Sequence, residues 1–156
     1  MRPRDHDAEF IEFATAHEAG LRRAFVAAYG TERGIEATAE AFAYGWQHWK
    51  RVREMANPIG YLYRVGQSRT RPRKRPSFGP VRPVIDTEPP LVEPGLAAAL
   101  AALSESQRVA VVLIHGFDWT LRDVAELTGV TISTVRTHVE RALHHLRAAL
   151  EVQDSA

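Results

Sequence analysis

Hydroxyl and arginine side chains on one predicted helix are the residues whose types and spacing best fit a chemical task. Residues 121–147 read as a helix, a tight turn and a second helix, with Ala125 small at the crossing and Gly129 where the turn needs a positive φ. Such helix-turn-helix spacing places the second helix in the DNA major groove. Its outer face can reach phosphates and base edges through Thr131, Ser133, Thr134, Arg136, Thr137, Glu140 and Arg141.

The opposite side of this second helix is predicted to be an apolar inner stripe. The stripe comprises Ile132, Val135, Val139, Ala142, Leu143, Leu146 and Leu150, and the wedge between the two helices comprises Val124, Val130 and Val135. A plain helical hairpin with a solvated polar face has the same pattern, so the spacing leaves both interpretations open.

A second candidate for contact with an anion lies in the first half of the chain. Residues 1–75 carry 14 Lys and Arg against 9 Asp and Glu, a balance of +5, whereas residues 76–95 and 96–156 each have a balance of −2. The stretch 64–75 has six basic residues and no acidic one. It predicts an electrostatic footprint for a phosphate backbone, and the alternative is a solvated tail.

Catalytic and metal-binding patterns are not found in the sequence. There is no cysteine, no glycine-rich phosphate loop and no H-E-x-x-H motif, and the seven histidines are scattered. We therefore expect no enzyme activity, no cofactor and no metal. Neither a secretory leader nor a run of eighteen apolar residues is present, so we expect a cytoplasmic protein.

Proline placement divides the chain into two predicted domains. Six of the nine prolines fall between Pro76 and Pro94, a density that no helix tolerates. We expect an all-α protein with two small helical domains, residues 1–75 and 96–156, joined by a proline-rich linker over residues 76–95.

Helices are predicted on both sides of this linker. In the first half, apolar spacing of three and four residues predicts one helix on Phe10, Phe13, His17, Leu21, Ala24 and Ala28, and a second on Ile35, Phe42, Trp46 and Trp49. Asn57 and Pro58 predict the start of a third, which ends before Pro72. Beyond the linker, residues 96–103 predict a short helix, and Ser104 caps the next one.

Two stretches resemble the extracytoplasmic-function (ECF) group of bacterial RNA polymerase sigma factors. Residues 100–151 resemble region four through the entry A-L-x-x-L-S-E-S-Q-R and the later run T-L-R-D-V-A-E-L-T-G-V-T-I-S-T-V-R-T-H-V-E-R-A-L. The first half resembles region two through Y-G-T-E-R at 29–33, Glu40-Ala41-Phe42, Trp46, and N-P-I-G-Y-L-Y-R-V at 57–65.

The resemblance implies roles for individual residues. It implies that region two binds core polymerase through Glu36, Glu40, Phe42 and Trp46. Contact with the minus-ten promoter element would come from Asn57, Tyr61, Arg64, Ser68, Arg69 and Arg71. Region four would read the minus-thirty-five element through the recognition-helix residues named above. Ala39, Ser68 and Pro72 depart from the usual family pattern.

The function expected from this resemblance is promoter recognition on behalf of RNA polymerase, under the control of an anti-sigma factor. One alternative is a degenerate sigma-like protein that binds polymerase or a regulator without efficient initiation. Another is a free-standing helix-turn-helix regulator. We further expect that the two domains fold separately and that proteolysis within residues 76–95 releases two stable fragments.

Overall fold

The computed structural model describes residues 3–70 and 95–155, and within these ranges it contains helices and no strand. The first half comprises α1 (Pro3–Tyr29), α2 (Thr31–Gln47), α3 (Trp49–Val52) and α4 (Pro58–Arg69). The second half comprises α5 (Leu96–Ala102), α6 (Glu105–Val111), α7 (Leu121–Thr128) and α8 (Ile132–Asp154), with a π-helical turn over Val112–Gly116 after α6. The predicted all-α class is confirmed.

Local capping signals in the sequence fix several helix starts. The Asn57 side chain accepts a hydrogen bond from the Gly60 amide at 3.0 Å, and Ser104 accepts one from the Gln107 amide at 3.2 Å. Helix α7 begins with a reciprocal capping box between Thr120 and Asp123, which the sequence analysis did not identify.

Helix α2 is predicted from its large apolar residues, but the face that it buries is lined with small ones. Its buried residues are small, namely Gly34, Ala37, Thr38, Ala41 and Gly45, whereas Ile35 is 51% exposed and Trp46 is 45% exposed. Close approach to α1 explains this choice, since a Cβ atom on Gly34 would lie 2.5 Å from the Val26 Cα. The spacing of Ile35, Phe42 and Trp46 predicted the helix but not its buried face, because the two helices meet at backbone distance, where only small residues fit.

The core draws on both halves of the chain. One buried cluster contains Leu21, Phe25, Leu62 and Tyr63 from the first half together with residues of the second, among them Val109, Leu113, Val124 and Leu127. A second, smaller cluster joins α5 to α8. The boundaries of the two predicted domains remain a prediction, and the linker lies almost entirely outside the described residues, which resume at Gly95.

Candidate nucleic-acid interface

The predicted helix-turn-helix is formed by α7 and α8. Helix α7 ends at Gly129, whose φ of 77° is in the left-handed region that glycine adopts without strain, and the Gly129 amide donates to the Ala125 carbonyl at 2.9 Å. Val135, Val139, Ala142 and Leu146 are buried as predicted. The turn and the position of the second helix therefore follow the sequence pattern.

Two residues assigned to the inner side lie at the surface instead. Val130 is 38% exposed and Ile132 is 39% exposed, so neither serves as the predicted wedge or inner stripe. Val130 lies in the turn between α7 and α8, and Ile132 is the first residue of α8. The wedge between α7 and α8 reduces to Val124 and Val135, each about 1% exposed.

The outer face of α8 begins with a cluster of hydroxyl groups. The Thr131 hydroxyl oxygen accepts a hydrogen bond from the Thr134 amide at 3.1 Å and lies 2.8 Å from the Thr134 hydroxyl and 3.3 Å from that of Ser133. Thr131 therefore caps the helix, which leaves its positive N-terminal end presented to solvent. The Thr137 hydroxyl donates to the Ser133 carbonyl at 3.1 Å.

The charged residues of this face project into solvent one to two turns further along. Arg136, Glu140 and Arg141 are all exposed. Two guanidinium groups and a carboxylate beside a capped helix start can make both phosphate and base-edge contacts. The structure thus brings all seven predicted residues of this face to one end of one helix.

The predicted minus-ten residues of α4 fall into two groups. Asn57 and Arg64 lie against the second half: the Asn57 amide nitrogen donates to the Glu126 carbonyl at 2.7 Å, and a Cβ atom on Gly129 would lie 2.5 Å from Arg64 Nη2. Tyr61 and Arg69 instead face α2. Ser68 is exposed and its hydroxyl donates to the Val65 carbonyl at 2.9 Å, and Arg71 lies outside the described residues.

An aromatic and basic cluster, which we name the tyrosine–arginine cluster, surrounds Tyr61. It comprises Tyr44, His48, Arg51, Tyr61 and Arg69. Arg51 Nη2 donates to both tyrosine hydroxyls at 2.7 Å, and the Arg69 guanidinium lies 5.2 Å from the Tyr44 ring centroid. The His48 ring stacks on Tyr44 with centroids 4.1 Å apart. Partly exposed rings beside guanidinium groups form the kind of surface on which unpaired bases stack.

Hydrogen bonding within this cluster sets the tyrosine pKa values in opposite directions. The hydroxyls of Tyr44 and Tyr61 lie 3.2 Å apart. This hydrogen bond raises the pKa of Tyr44 and lowers that of Tyr61. Sequence reasoning missed Tyr44, His48 and Arg51. Their spacing of four and three residues indicates one helix face, but the partner Tyr61 comes from another helix and has no local signal.

The predicted polymerase-binding residues lie on the side of α2 that is not fully buried: Glu36, Glu40 and Trp46 are exposed, and Phe42 is half-buried. Glu36 and Glu40 are exposed and one helical turn apart. Trp46 packs edge-on against Phe10 with ring centroids 5.4 Å apart, and Phe42 does so at 6.5 Å. Partly exposed aromatic rings are enriched in protein-binding surfaces, and the neighbouring carboxylates suit the polar rim of such a surface.

No group of three or more metal-ligating side chains occurs within residues 3–70 and 95–155. None of the helices described is both long and apolar enough to cross a membrane.

A comparison with protein-family models identifies the family that the second half of the chain resembles. The family model described as "Sigma-70, region 4" matches residues 95–146, which span α5 to most of α8. Residues 95–146 are thus similar to sigma-70 region 4. The outer face of α8 is the outer face of the second helix of the helix-turn-helix in this match, and the resemblance noted for residues 100–151 is confirmed.

The fold of the whole chain is also that of a sigma factor. The structure is similar to the sigma factor RpoE, solved in complex with the anti-sigma factor NepR from Bartonella quintana, with a TM-score of 0.63. The match covers 92% of this chain and 98% of that chain at 17% sequence identity, so it establishes the fold. The chain has the sigma-factor fold predicted from its resemblance to the ECF group and carries region 4 in its second half.

Part of the chain is also similar to ribosomal RNA small subunit methyltransferase H of Xanthomonas oryzae pv. oryzae (strain PXO99A). The identity is 37% over 93 residues, which make up 58% of this chain and 27% of that protein. The chain thus spans about a quarter of the length of that relative.

Proposed function

We propose that this chain is an ECF-type sigma factor, a subunit that binds bacterial RNA polymerase core and directs it to specific promoters. The observation that carries the proposal is the exposed outer face of α8 within a sigma-70 region 4. On this proposal region 4 reads the minus-thirty-five element through Arg136, Thr137, Glu140 and Arg141. Ser133 and Thr134 lie nearer the phosphates.

Core polymerase is the proposed partner of the side of α2 that is not fully buried. Its carboxylates, Glu36 and Glu40, supply charge complementarity, and Trp46 and Phe42 supply apolar contact area. The minus-ten element is the proposed ligand of the α4 residues and of the tyrosine–arginine cluster, because separated strands expose base faces that can stack on Tyr44 and Tyr61.

On the same proposal the chain performs no chemistry itself and acts in the cytoplasm, where polymerase and chromosomal DNA are. Control by an anti-sigma factor is also part of the proposal. It is supported by the partly exposed apolar side chains of α2, which are suited to being covered by a partner when polymerase is not bound.

The experiment that tests the function is transcription in vitro. The full chain is added to core polymerase with fragmented genomic DNA from the source organism, and the 5′ ends of the transcripts are sequenced. The proposal expects discrete start sites that share two upstream elements. Start sites identical to those of core alone would refute it. Core binding without initiation would favour the degenerate sigma-like alternative, for which Ala39, Ser68 and Pro72, the last outside the described residues, are the motivating residues.

A matched set of arginine variants tests the reading face. Loss of a base-reading arginine costs about 1–3 kcal/mol, roughly a 5- to 150-fold loss at one base position. We expect Arg136→Ala and Arg141→Ala to weaken initiation and relax the upstream element. Arg147→Ala, an exposed arginine further along the same helix, is the control and should leave initiation unchanged. Equal activity of all three variants would show that this face is not the reader.

A further inference from the structure

Two aliphatic side chains beside the start of α8 have no place in the core and no role in the proposed function. Val130 and Ile132 are both exposed, and they stand on either side of Thr131, whose hydroxyl caps α8. A single exposed aliphatic side chain is common on a protein surface. Two that line one groove and are rimmed by polar side chains form the pattern of a contact surface.

The groove lies between α7 and the start of α8 and has a volume of about 470 Å³. Its lining comes from one side of α7 and from the three residues that lead into α8, namely Arg122, Ala125, Glu126, Val130, Thr131 and Ile132. Arg122 and Glu126 are exposed, so the α7 wall is charged, whereas the wall that leads into α8 is mostly apolar. The groove is continuous with the outer face of α8, because Thr131 belongs to both.

The helix-turn-helix arrangement indicates which part of the DNA this groove meets. When such a motif docks, the N-terminal residues of the second helix contact base edges in the major groove, and the first helix crosses the backbone. Ile132 is the first residue of α8 and stands in the sequence between the hydroxyl-bearing Thr131 and Ser133. Arg122, on the first helix, is exposed and suited to a phosphate. Docked in this way, the chain places Ile132 at a base edge.

The chemistry of an aliphatic side chain limits what it can recognise at a base edge. Ile132 has no hydrogen-bond donor or acceptor in its side chain, so it cannot pair with the polar atoms that adenine, guanine and cytosine present in the major groove. Covering such an edge with Ile132 would cost the hydrogen bonds that the edge makes with water. Thymine presents an apolar C5-methyl group in the major groove. This methyl group is therefore the base feature that fits the side chain.

We propose that Ile132, with Val130 beside it, contacts the C5-methyl group of one thymine in the upstream promoter element and so selects a T·A pair at that position. This inference rests on the proposed function and adds a readout that the arginines do not supply. Arg136 and Arg141 read by hydrogen bonds, whereas the aliphatic pair selects by apolar contact. Removing one methyl group from water changes an affinity by about fourfold, so the contact sharpens the preference that the arginines create.

Deoxyuridine, which differs from thymidine only in lacking the C5-methyl group, tests the contact directly. Holoenzyme is reconstituted from the full chain and core polymerase, and each thymine of the upstream element of a mapped promoter is replaced in turn, on both strands. We expect about a three- to fivefold loss of affinity at one position. There 5-bromodeoxyuridine should restore binding, because bromine fills the space of the methyl group. Promoter-specific binding that is indifferent to deoxyuridine at every position would overturn the inference alone. If the holoenzyme shows no promoter-specific binding, the proposed function fails and the inference fails with it.

A matched pair of variants assigns the methyl contact to its residue. Holoenzyme with Ile132→Ala should bind the thymine promoter as weakly as unmodified holoenzyme binds the deoxyuridine promoter, and should no longer distinguish the two. The control is Val152→Ala, an exposed aliphatic residue near the other end of α8, which should keep the full discrimination. Discrimination retained by Ile132→Ala would assign the methyl to another residue and overturn the inference. Unchanged DNA binding by Ile132→Ala would also overturn it and would leave the groove to a protein partner.

Discussion

Replacing Arg108 with methionine is expected to destabilise the chain and to loosen its two halves from each other. Methionine keeps much of the side-chain volume and removes the guanidinium. Three main-chain carbonyls then lose their donor: those of Ala27 and Ala28 in α1 and that of Leu103, to which Arg108 Nη1 donates at 2.7 Å.

The magnitude follows from these three acceptors. Each buried carbonyl left without a donor costs about 1–3 kcal/mol. Burial desolvates the Arg108 cation and thereby lowers its pKa. Methionine removes this desolvation penalty, and that gain offsets part of the cost. We expect a net loss of about 2–4 kcal/mol from the free energy of unfolding, which is typically about 5–15 kcal/mol. For a chain of this size the melting temperature should fall by roughly 5–15 °C.

Urea denaturation followed by circular dichroism measures this loss, and Arg147→Met is the matched control. Arg147 is exposed on α8, so its substitution should change the unfolding free energy by less than about 0.5 kcal/mol. Because the shared cluster couples the halves, the unmodified chain should unfold in one transition and Arg108→Met in two. A loss of less than about 1 kcal/mol with a single transition would refute the assignment of Arg108 as the residue that holds the halves together.

Three further outcomes are expected. Glu40→Lys should weaken binding to core polymerase without lowering the melting temperature, whereas Glu12→Lys on α1 should leave binding unchanged. Affinity is measured in a pull-down with core polymerase, and equal affinities of the two variants would contradict the proposal that α2 binds core. Burial lowers the pKa of His17 below its usual 6.5, so the folded state disfavours its protonated form and stability should fall as pH drops below about 6.5. His17→Gln should flatten that dependence in denaturation curves from pH 5 to 7, and an unchanged slope for His17→Gln would contradict the reasoning. Limited proteolysis should cut within residues 76–95. In place of the separately folded domains expected from the sequence, the buried cluster shared by both halves should keep the two fragments together on a sizing column, and separate elution would speak for independently folded domains.

Features with a local cause could be predicted from the sequence. Asn57 and Ser104 cap the helices they precede, and Gly129 adopts the positive φ expected of the turn. Each of these features depends on residues within three or four positions of it, so a short stretch of sequence is enough to predict it. The seven residues of the outer face of α8 were predicted to lie together for the same reason, because a single helix and its cap position all of them.

Features that depend on another element could not be predicted. The inward face of α2 was decided by backbone contact with α1, which favours glycine and alanine over the larger Ile35. The tyrosine–arginine cluster needs Tyr61 of α4 opposite Tyr44 of α2. The guanidinium of Arg108 donates to a carbonyl eighty residues away in the sequence. Apolar periodicity does not show which carbonyls lack a donor at the end of a helix.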